Sequence, residues 1–457
     1  MVIVMVKDLT SGSPLKLIIG FSVPIILGNL VQQLYSWADT LMVGKMIGNS
    51  ALAAVGATGV ITFLIIGFLM GISEGVCLLA ARFFGAGDKT GLRRCIGNLI
   101  YVCLSITVVL TVVALACNRQ ILEIMNTPAD IIDLSEEYLG VIYIGMIATM
   151  LYNVCAGIMR AMGDSKTPLY LLIGSSVANV IFNFVFIPIL GVQGAAISTI
   201  LSQFLAGIVS LIILAKRYDD VKLSKNDLIP RKPILVKLCI MGVPMAFQYS
   251  ITAVGTIFLQ TAINGLGSDT VTAFTVGERV WGFGWSIINC YGVALASFCS
   301  QNLGAARLDR IKKGVRSSVV LVSVAAIFFT VIFMLFGQYL SVLFLDAPSE
   351  GIIRDIQIYY QVQSPFMLAL AMIGIYRNCI MGLGYSMQGM FAGILELIGR
   401  TAVSVIFVGA FGFAACCIAS PVAWIMADVL LIPMYYYLMR RMQREHPEWA
   451  VERAEAV

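Results

Sequence analysis

Histidine is almost missing from this chain: its one copy in 457 residues, His446, lies in the C-terminal tail. No apolar stretch offers a His/Glu metal set or a serine nucleophile beside a base, so the chain does not read as an enzyme and no cofactor is expected. No phosphate-binding P-loop occurs, and energy for any work must come from an ion gradient. The eleven cysteines sit in or beside apolar stretches without a CxxC spacing, which supports neither a disulfide framework nor a zinc site; they read as small buried hydrophobes. Charge is scarce too. Only 12% of residues are charged and 59% are hydrophobic, against about 25% charged in an average soluble domain, so most of the surface must lie in lipid. Polar and apolar residues do not alternate in strand fashion, which excludes a membrane β-barrel. The opening Met1 to Val6 is too short for a signal peptide and lacks a small-residue cleavage site.

What remains is a series of long apolar runs. A helix needs about 18 to 20 apolar residues to cross a bilayer, and twelve runs qualify: 16–46, 51–80, 95–117, 136–158, 168–189 and 193–215, then 234–263, 270–299, 317–343, 358–381, 387–410 and 413–438. An all-α integral membrane protein with twelve transmembrane helices is expected. The net charge of +5 suggests an acidic partner such as nucleic acid only until its distribution is read. Of the 30 Lys and Arg, six (Lys45, Arg119, Arg279, Arg354, Arg377 and Arg400) fall within spans or outer loops; the rest share one side, which the positive-inside rule makes cytoplasmic. The bilayer is then the partner and nucleic acid is not. An even number of spans puts both termini in the cytoplasm.

The chain also repeats itself. Sliding it by 219 to 221 residues aligns "GFSVP" with "IMGVP" (Pro24, Pro244) and "FFGAG" with "NLGAA" (Gly85, Gly304). Pro128 falls against Pro348, "RAMGDS" against "MGLGYS" (Gly163, Gly384), and "LGVQGAAIS" against "FGFAACCIA" (Gly191, Gly412). Six spans per copy give both copies the same orientation, as in transporters whose substrate site lies between parallel repeats. The division expected is an N-terminal six-helix lobe over 1–215, a polar cytoplasmic linker over 216–233, a C-terminal lobe over 234–438 and a cytoplasmic tail over 439–457. Gly67, Gly71 and Gly75 recur every fourth residue, as do Gly389 and Gly393, a spacing that lets helix backbones approach closely. Pro24 and Pro244 lie inside their spans and should bend them.

Ionised side chains inside spans are expensive, at roughly 2.5 to 3.5 kcal/mol each for a carboxylate at mid-span, and each needs a reason. At about 1.5 Å per residue, Asp39 lies about 9 to 14 Å below the outer surface, Asn179 and Asn183 about 16 and 10 Å, and Thr199 about 12 Å. Four oxygen-bearing side chains from three helices thus share one layer of the first lobe. Asn179 and Asn183, four apart, share a helix face. A carboxylate, two amide oxygens and a hydroxyl suit Na⁺, or a protonatable Asp39 held by hydrogen bonds. The second half has Leu259 at the register of Asp39, so the layer belongs to one lobe and is not a shared requirement of the fold. Two readings stay open: ion coupling through Asp39, or hydrogen bonds that join helices.

Glu396 and Arg400, spaced i, i+4 in "ILELIGR", are expected to form a structural ion pair. Glu278 is adjacent to Arg279, cannot face it on a helix, and is a candidate for attracting a cationic substrate. Glu74 and Asp428 lie nearer the cytoplasmic ends, toward Arg82 and Arg440. Tyr35 and Trp37, with Phe283 and Trp285, are candidates to line a cavity for flat lipophilic cations.

Together "PIILGNLVQQLYSWADTLMVG" in the first span, "MRAMGDSKTP" after the fourth and "GVQGAAIST" opening the sixth, in that order and spacing, resemble the multidrug and toxic compound extrusion (MATE) family of cation-coupled exporters. The resemblance covers nearly the whole chain. It implies a V-shaped pair of pseudo-symmetric six-helix lobes exchanging a drug-like compound for inward-moving H⁺ or Na⁺. It also implies coupling roles for Asp39, Asn179 and Thr199. Asn183 stands where similar members carry a second carboxylate, which weakens a Na⁺ site and favours coupling through Asp39, with H⁺ gaining ground. Acidic residues that part of the family carries in the seventh and tenth spans are missing from "PMAFQYSITAVGTIF" and "PFMLALAMIGIYRN". The expectation is a monomeric antiporter of the bacterial inner membrane exporting small lipophilic cations. A flippase for lipid-linked substrates is the alternative, for which Arg279, Arg377 and Arg400 would have to supply a cationic cavity.

Overall fold

A computed structural model describes residues 8–125, 127–345 and 348–450. The Met1 to Val6 reading and the last seven residues of the tail lie outside that range. Among the described residues regular structure is helical throughout, without strands. In chain order the helices are α1 (Pro14–Met46), α2 (Asn49–Gly85), α3 (Lys89–Ala116), α4 (Asn118–Ile124), α5 (Ile132–Ile144), α6 (Met146–Ala161), α7 (Lys166–Leu190) and α8 (Val192–Arg217). They continue with α9 (Lys232–Asn264), α10 (Ser268–Gly304), α11 (Leu308–Val342), α12 (Glu350–Gln363), α13 (Met367–Gly382), α14 (Ser386–Ile406), α15 (Val408–Phe411) and α16 (Phe413–Glu445). Helix is the form that satisfies every backbone N–H and C=O within one segment, as a lipid core demands.

Among the described residues eleven segments are long and apolar enough to cross a membrane, and the pair α5 and α6, bent by 45°, makes a twelfth if it is one span. The break is at Gly145, where the side chain of Ile200 occupies the space a Cβ would need. The tenth crossing joins α12 to α13 through a short 3₁₀ turn, Ser364–Phe366. Several helices outrun the expected spans, α2 to Gly85 and α10 to Gly304, because a hydropathy count sees the hydrocarbon crossing while the helix continues into its polar flank. Large apolar side chains such as Phe184 and Val324 stay exposed, at 64% and 63%, as lipid-facing positions do.

The chain forms two compact units. One holds Val23–Ala246 and the other holds Leu9–Ser22 with Phe247–Val457. The opening part of α1 therefore belongs with the C-terminal helices and the opening part of α9 with the N-terminal ones. Both helices continue unbroken through Pro24 and Pro244, and the change of unit falls within two residues of each proline.

In the first unit, Gly71 and Gly75 of α2 face α9 so closely that a Cβ on either would come within 2.6 Å of the backbone at Ala246 or Gly242. The small-residue stripe thus marks a backbone contact. Asp164 in the "MRAMGDSKTP" turn caps α7, accepting from the amides of Lys166 and Thr167 at 2.9 and 3.0 Å and from the Tyr218 hydroxyl at 2.6 Å. Burial and the neighbouring Asp164 push the Tyr218 phenol up. The linker lies along α3. Arg93 donates to the carbonyls of Asp219 and Asp220, Tyr101 to that of Leu228, and Asn98 bonds Ile229 and Arg231. Within it, bonds from the Ser224 hydroxyl and amide hold the Asp227 carboxyl below its usual range.

The second unit encloses an apolar core around Phe274, Trp281, Phe298, Tyr359 and Trp424. Leu9 is pinned there, its amide donating to Gln301 Oε1 at 3.1 Å and its carbonyl accepting from Asn302 Nδ2 at 3.1 Å. The repeat recurs in backbone conformation. Gly191 and Gly412 turn the chain at φ 58° and 56°, and Gly163 and Gly384 at 83° and 89°, a region that favours glycine.

Candidate functional site

The "GVQGAAIST" stretch sets the geometry of the first unit's polar layer. Gly191 makes the left-handed turn from α7 into α8. Gly194 then packs against the α7 backbone at Phe186 with no room for a Cβ, and Ala195 and Ala196 are fully buried behind it. One turn later Thr199 faces α7. On α7, Asn179 and Asn183 are fully buried on one face, and on α1 Tyr35 and Asp39 are likewise four apart.

These side chains form one hydrogen-bonded chain. Asn183 Nδ2 donates to Asp39 Oδ1 at 2.6 Å and to Asn179 Oδ1 at 3.2 Å. Asn179 Nδ2 donates to Thr199 Oγ1 at 3.3 Å, and the Tyr35 hydroxyl donates to the same oxygen at 3.3 Å. Met42 Sδ lies 3.9 Å from Asn183 Nδ2, and the phenol of Tyr138 on α5 lies within electrostatic reach of Asp39. Asn183 Oδ1 is buried without a hydrogen-bond partner among the described residues. The structure thus brings together Asp39, Asn179, Asn183 and Thr199, and adds Tyr35, which was expected on a substrate cavity. Tyr138 and Met42 were not singled out from sequence: an aromatic and a thioether on apolar helices carry no signal that separates them from core.

The second unit holds the other intramembrane charges. The pairing expected between Glu396 and Arg400 does not form. Glu396 pairs with Arg377 of α13 instead, and both are buried. Spacing along α14 decides only which residues share its surface; α13 packs against α14 and brings a guanidinium to Glu396. Arg400 reaches toward α9, where it lies over Gly255 and donates to Thr256 Oγ1 at 3.4 Å. Asp428 has Arg377 as its charged neighbour, and its Oδ1 is buried without a hydrogen-bond partner among the described residues. Glu278, on α10, has Arg400 as its charged neighbour, with no ion pair closed between them.

The MatE family model matches residues 24–185 and, a second time, residues 244–406. The chain belongs to the MatE family. Its two matches begin at Pro24 and Pro244, the first anchors of the internal repeat. MatE members are transporters rather than enzymes, and this chain belongs among multidrug exporters. Similar proteins include the probable multidrug resistance protein YoeA of Bacillus subtilis, 30% identical over 65% of this chain and 66% of that one. The probable multidrug resistance protein NorM of Thermotoga maritima is 22% identical over 84% and 83%. Among solved structures, a MOP superfamily transporter from Pyrococcus furiosus has the same fold, with a TM-score of 0.89 at 22% identity, covering 95% of this chain and 98% of that one. So does a multidrug resistance MATE family transporter in an outward-facing conformation, with a TM-score of 0.88 at 23% identity, covering 96% and 99%.

Proposed function

We propose that this protein is a monomeric secondary antiporter of the bacterial inner membrane, with both termini cytoplasmic, that exports lipophilic cationic compounds in exchange for H⁺ bound at Asp39. The observation that carries the reading is the 2.6 Å bond from Asn183 Nδ2 to Asp39 Oδ1. Na⁺ takes oxygen ligands, as hard cations do, and here the neighbouring amide turns a donor toward the carboxylate and its oxygen away. That arrangement suits an ionised Asp39 awaiting a proton. Once protonated, the carboxyl becomes a donor and needs an acceptor. Rotation of the Asn183 amide would supply Oδ1, which otherwise has no partner. The rotation also moves the donor away from Asn179, so the change in charge passes along Asn179, Thr199 and Tyr35 to three helices. The desolvation cost of an ionised group in lipid favours the protonated state wherever the layer is closed to water, and the two states then favour different packings of α1, α7 and α8.

The test is export of an organic cation from vesicles under an imposed pH gradient, for wild type and Asp39→Asn. Asp39→Asn, which holds the hydrogen-bond geometry without a titratable group, should abolish gradient-driven export while the purified variant remains folded. Export at the wild-type rate by that variant would remove Asp39 from the mechanism. Stimulation of wild type by Na⁺ at fixed pH would replace the proton with Na⁺.

A further inference from the structure

The basic residues of α11 and α16 are arranged in a way that membrane orientation alone does not require. On α11, Lys312, Arg316, Val320, Val324 and Phe328 follow one another every fourth residue and all are exposed, so one helix face carries two cations at its start and an apolar strip beyond them. On α16 the order is the same, read from the other end. Arg444, Arg440 and Tyr436 are each four apart, Val429 lies two turns deeper, and all four are exposed. Lys312 Nζ donates to Gln443 Oε1 at 2.7 Å, which brings the two cationic ends together, and α13 packs against both helices.

The acids of this region are engaged elsewhere. Glu445 pairs with Arg441 at 2.8 Å, Glu448 lies 3.5 Å from His446 Nδ1, and Asp309 pairs with Arg307 at 2.9 Å. Arg316, Arg440 and Arg444 form no ion pair among the described residues, and the Gln443 bond uses one of the three N–H donors of Lys312. The first unit treats the corresponding place differently. There Lys89 pairs with Asp220 at 2.7 Å and Arg93 donates to the carbonyls of Asp219 and Asp220, so the chain leaving the sixth span neutralises the start of α3. The 221-residue shift that aligns Gly191 with Gly412 sets Arg440 and Arg441 against Asp219 and Asp220. The second unit thus meets cations with cations.

We propose that the ends of α11 and α16 hold an anionic phospholipid, its phosphate among Lys312, Arg316, Arg440 and Arg444 and its acyl chains along the apolar strips of the two helices. A free anion would use the cations and leave the strips idle, and a zwitterionic phospholipid would bring a further cation to four that are already close. An amphiphile with a net negative head matches both features, in the order of head and chain that each helix repeats. Clusters of Lys and Arg at the end of a span attract anionic lipid in general; the convergence of two helices on one headgroup makes this place a site.

The experiment is native mass spectrometry of the purified full chain, counting the lipid retained from an equimolar mixture of phosphatidylglycerol and phosphatidylcholine. Wild type should retain phosphatidylglycerol in about tenfold excess, a step within reach of two or more cations near a membrane surface. The combined Lys312→Gln, Arg440→Gln and Arg444→Gln variant should bring that ratio to about one. The combined Lys216→Gln, Lys225→Gln and Lys232→Gln variant, which removes as much charge from exposed positions of the first unit, should leave it unchanged. A ratio near one in wild type overturns the proposal without needing any variant. So does an excess that survives the first variant, and so does one lost equally in the second, because the attraction would then follow net charge and not place. Complete displacement of the lipid by millimolar inorganic phosphate would mean that the apolar strips contribute nothing, and the lipid assignment fails. If the excess appears only after residues 451–457, which include Glu452 and Glu455, are removed, the chain's own tail is the occupant and the proposal falls.

Discussion

Replacing Asn183 with Asp inverts the contact on which the coupling proposal rests. The wild-type amide nitrogen sits 2.6 Å from Asp39 Oδ1 and 3.2 Å from Asn179 Oδ1; the variant puts acceptors against both. Two ionised carboxylates that relax to about 4 Å apart repel by about 4 kcal/mol at an effective dielectric of about 20, which is about three decades in population. The pair must then keep a proton between its oxygens or hold a cation there, and at alkaline pH the cation is the better supplied. Asn183→Asp should therefore acquire Na⁺ dependence that wild type lacks. The assay is export of an organic cation from everted vesicles at fixed alkaline pH, with Na⁺ replaced by K⁺ to keep ionic strength constant. Wild type should give a ratio near one with and without Na⁺, and the variant a stimulation of several-fold or more. A variant that exports at the wild-type rate and ignores Na⁺ would refute the reasoning, because it would mean that position 183 does not share the charge environment of Asp39.

Gly71→Ala should lower the melting temperature in detergent by the equivalent of about 1 to 3 kcal/mol, because its Cβ would meet Ala246 backbone at 2.6 Å, whereas Gly56→Ala, which faces open space, should not; equal melting of the two would contradict the α2–α9 contact. Arg377→Leu and Glu396→Leu should each cost about 3 to 5 kcal/mol by stranding a buried charge, with the double variant closer to wild type, and additive losses in that cycle would show that the two side chains act separately. Asp227 titrates below its ordinary value because Ser224 bonds the charged form; the stability it adds to the linker is present at neutral pH and is lost as pH falls through that depressed value, below about 3.9. Limited proteolysis between Tyr218 and Arg231 should accordingly rise with acid in wild type, and in Asp227→Asn it should be raised already at neutral pH and show a smaller acid step, the one left by Asp219, whose carboxyl Lys222 holds low.

The repeat was legible because glycines and prolines punctuate it in the same register in both halves, and the positive-φ turns at Gly191 and Gly412 are the physical reason those letters recur. The break at Gly145 was not legible: "YIGMIA" is apolar on both sides, and what the glycine leaves room for there is a side chain from α8. Depth along each span placed Asp39, Asn179, Asn183 and Thr199 in one layer, but depth carries no information about which way a helix is turned. Hence Tyr35 was assigned to a cavity rather than to Thr199, and Glu396 to Arg400 of its own helix rather than to Arg377 of the next. Partner choice inside a bundle is settled by packing between helices, which local spacing does not encode.

The exchange of helix openings bears on how such a chain can be divided. Leu9 is pinned among the C-terminal helices, while Ile229, three residues before the second copy's first helix, is pinned on α3. Each copy thus lends the start of its first helix to the other, so a cut in the linker leaves both compact units short of a segment.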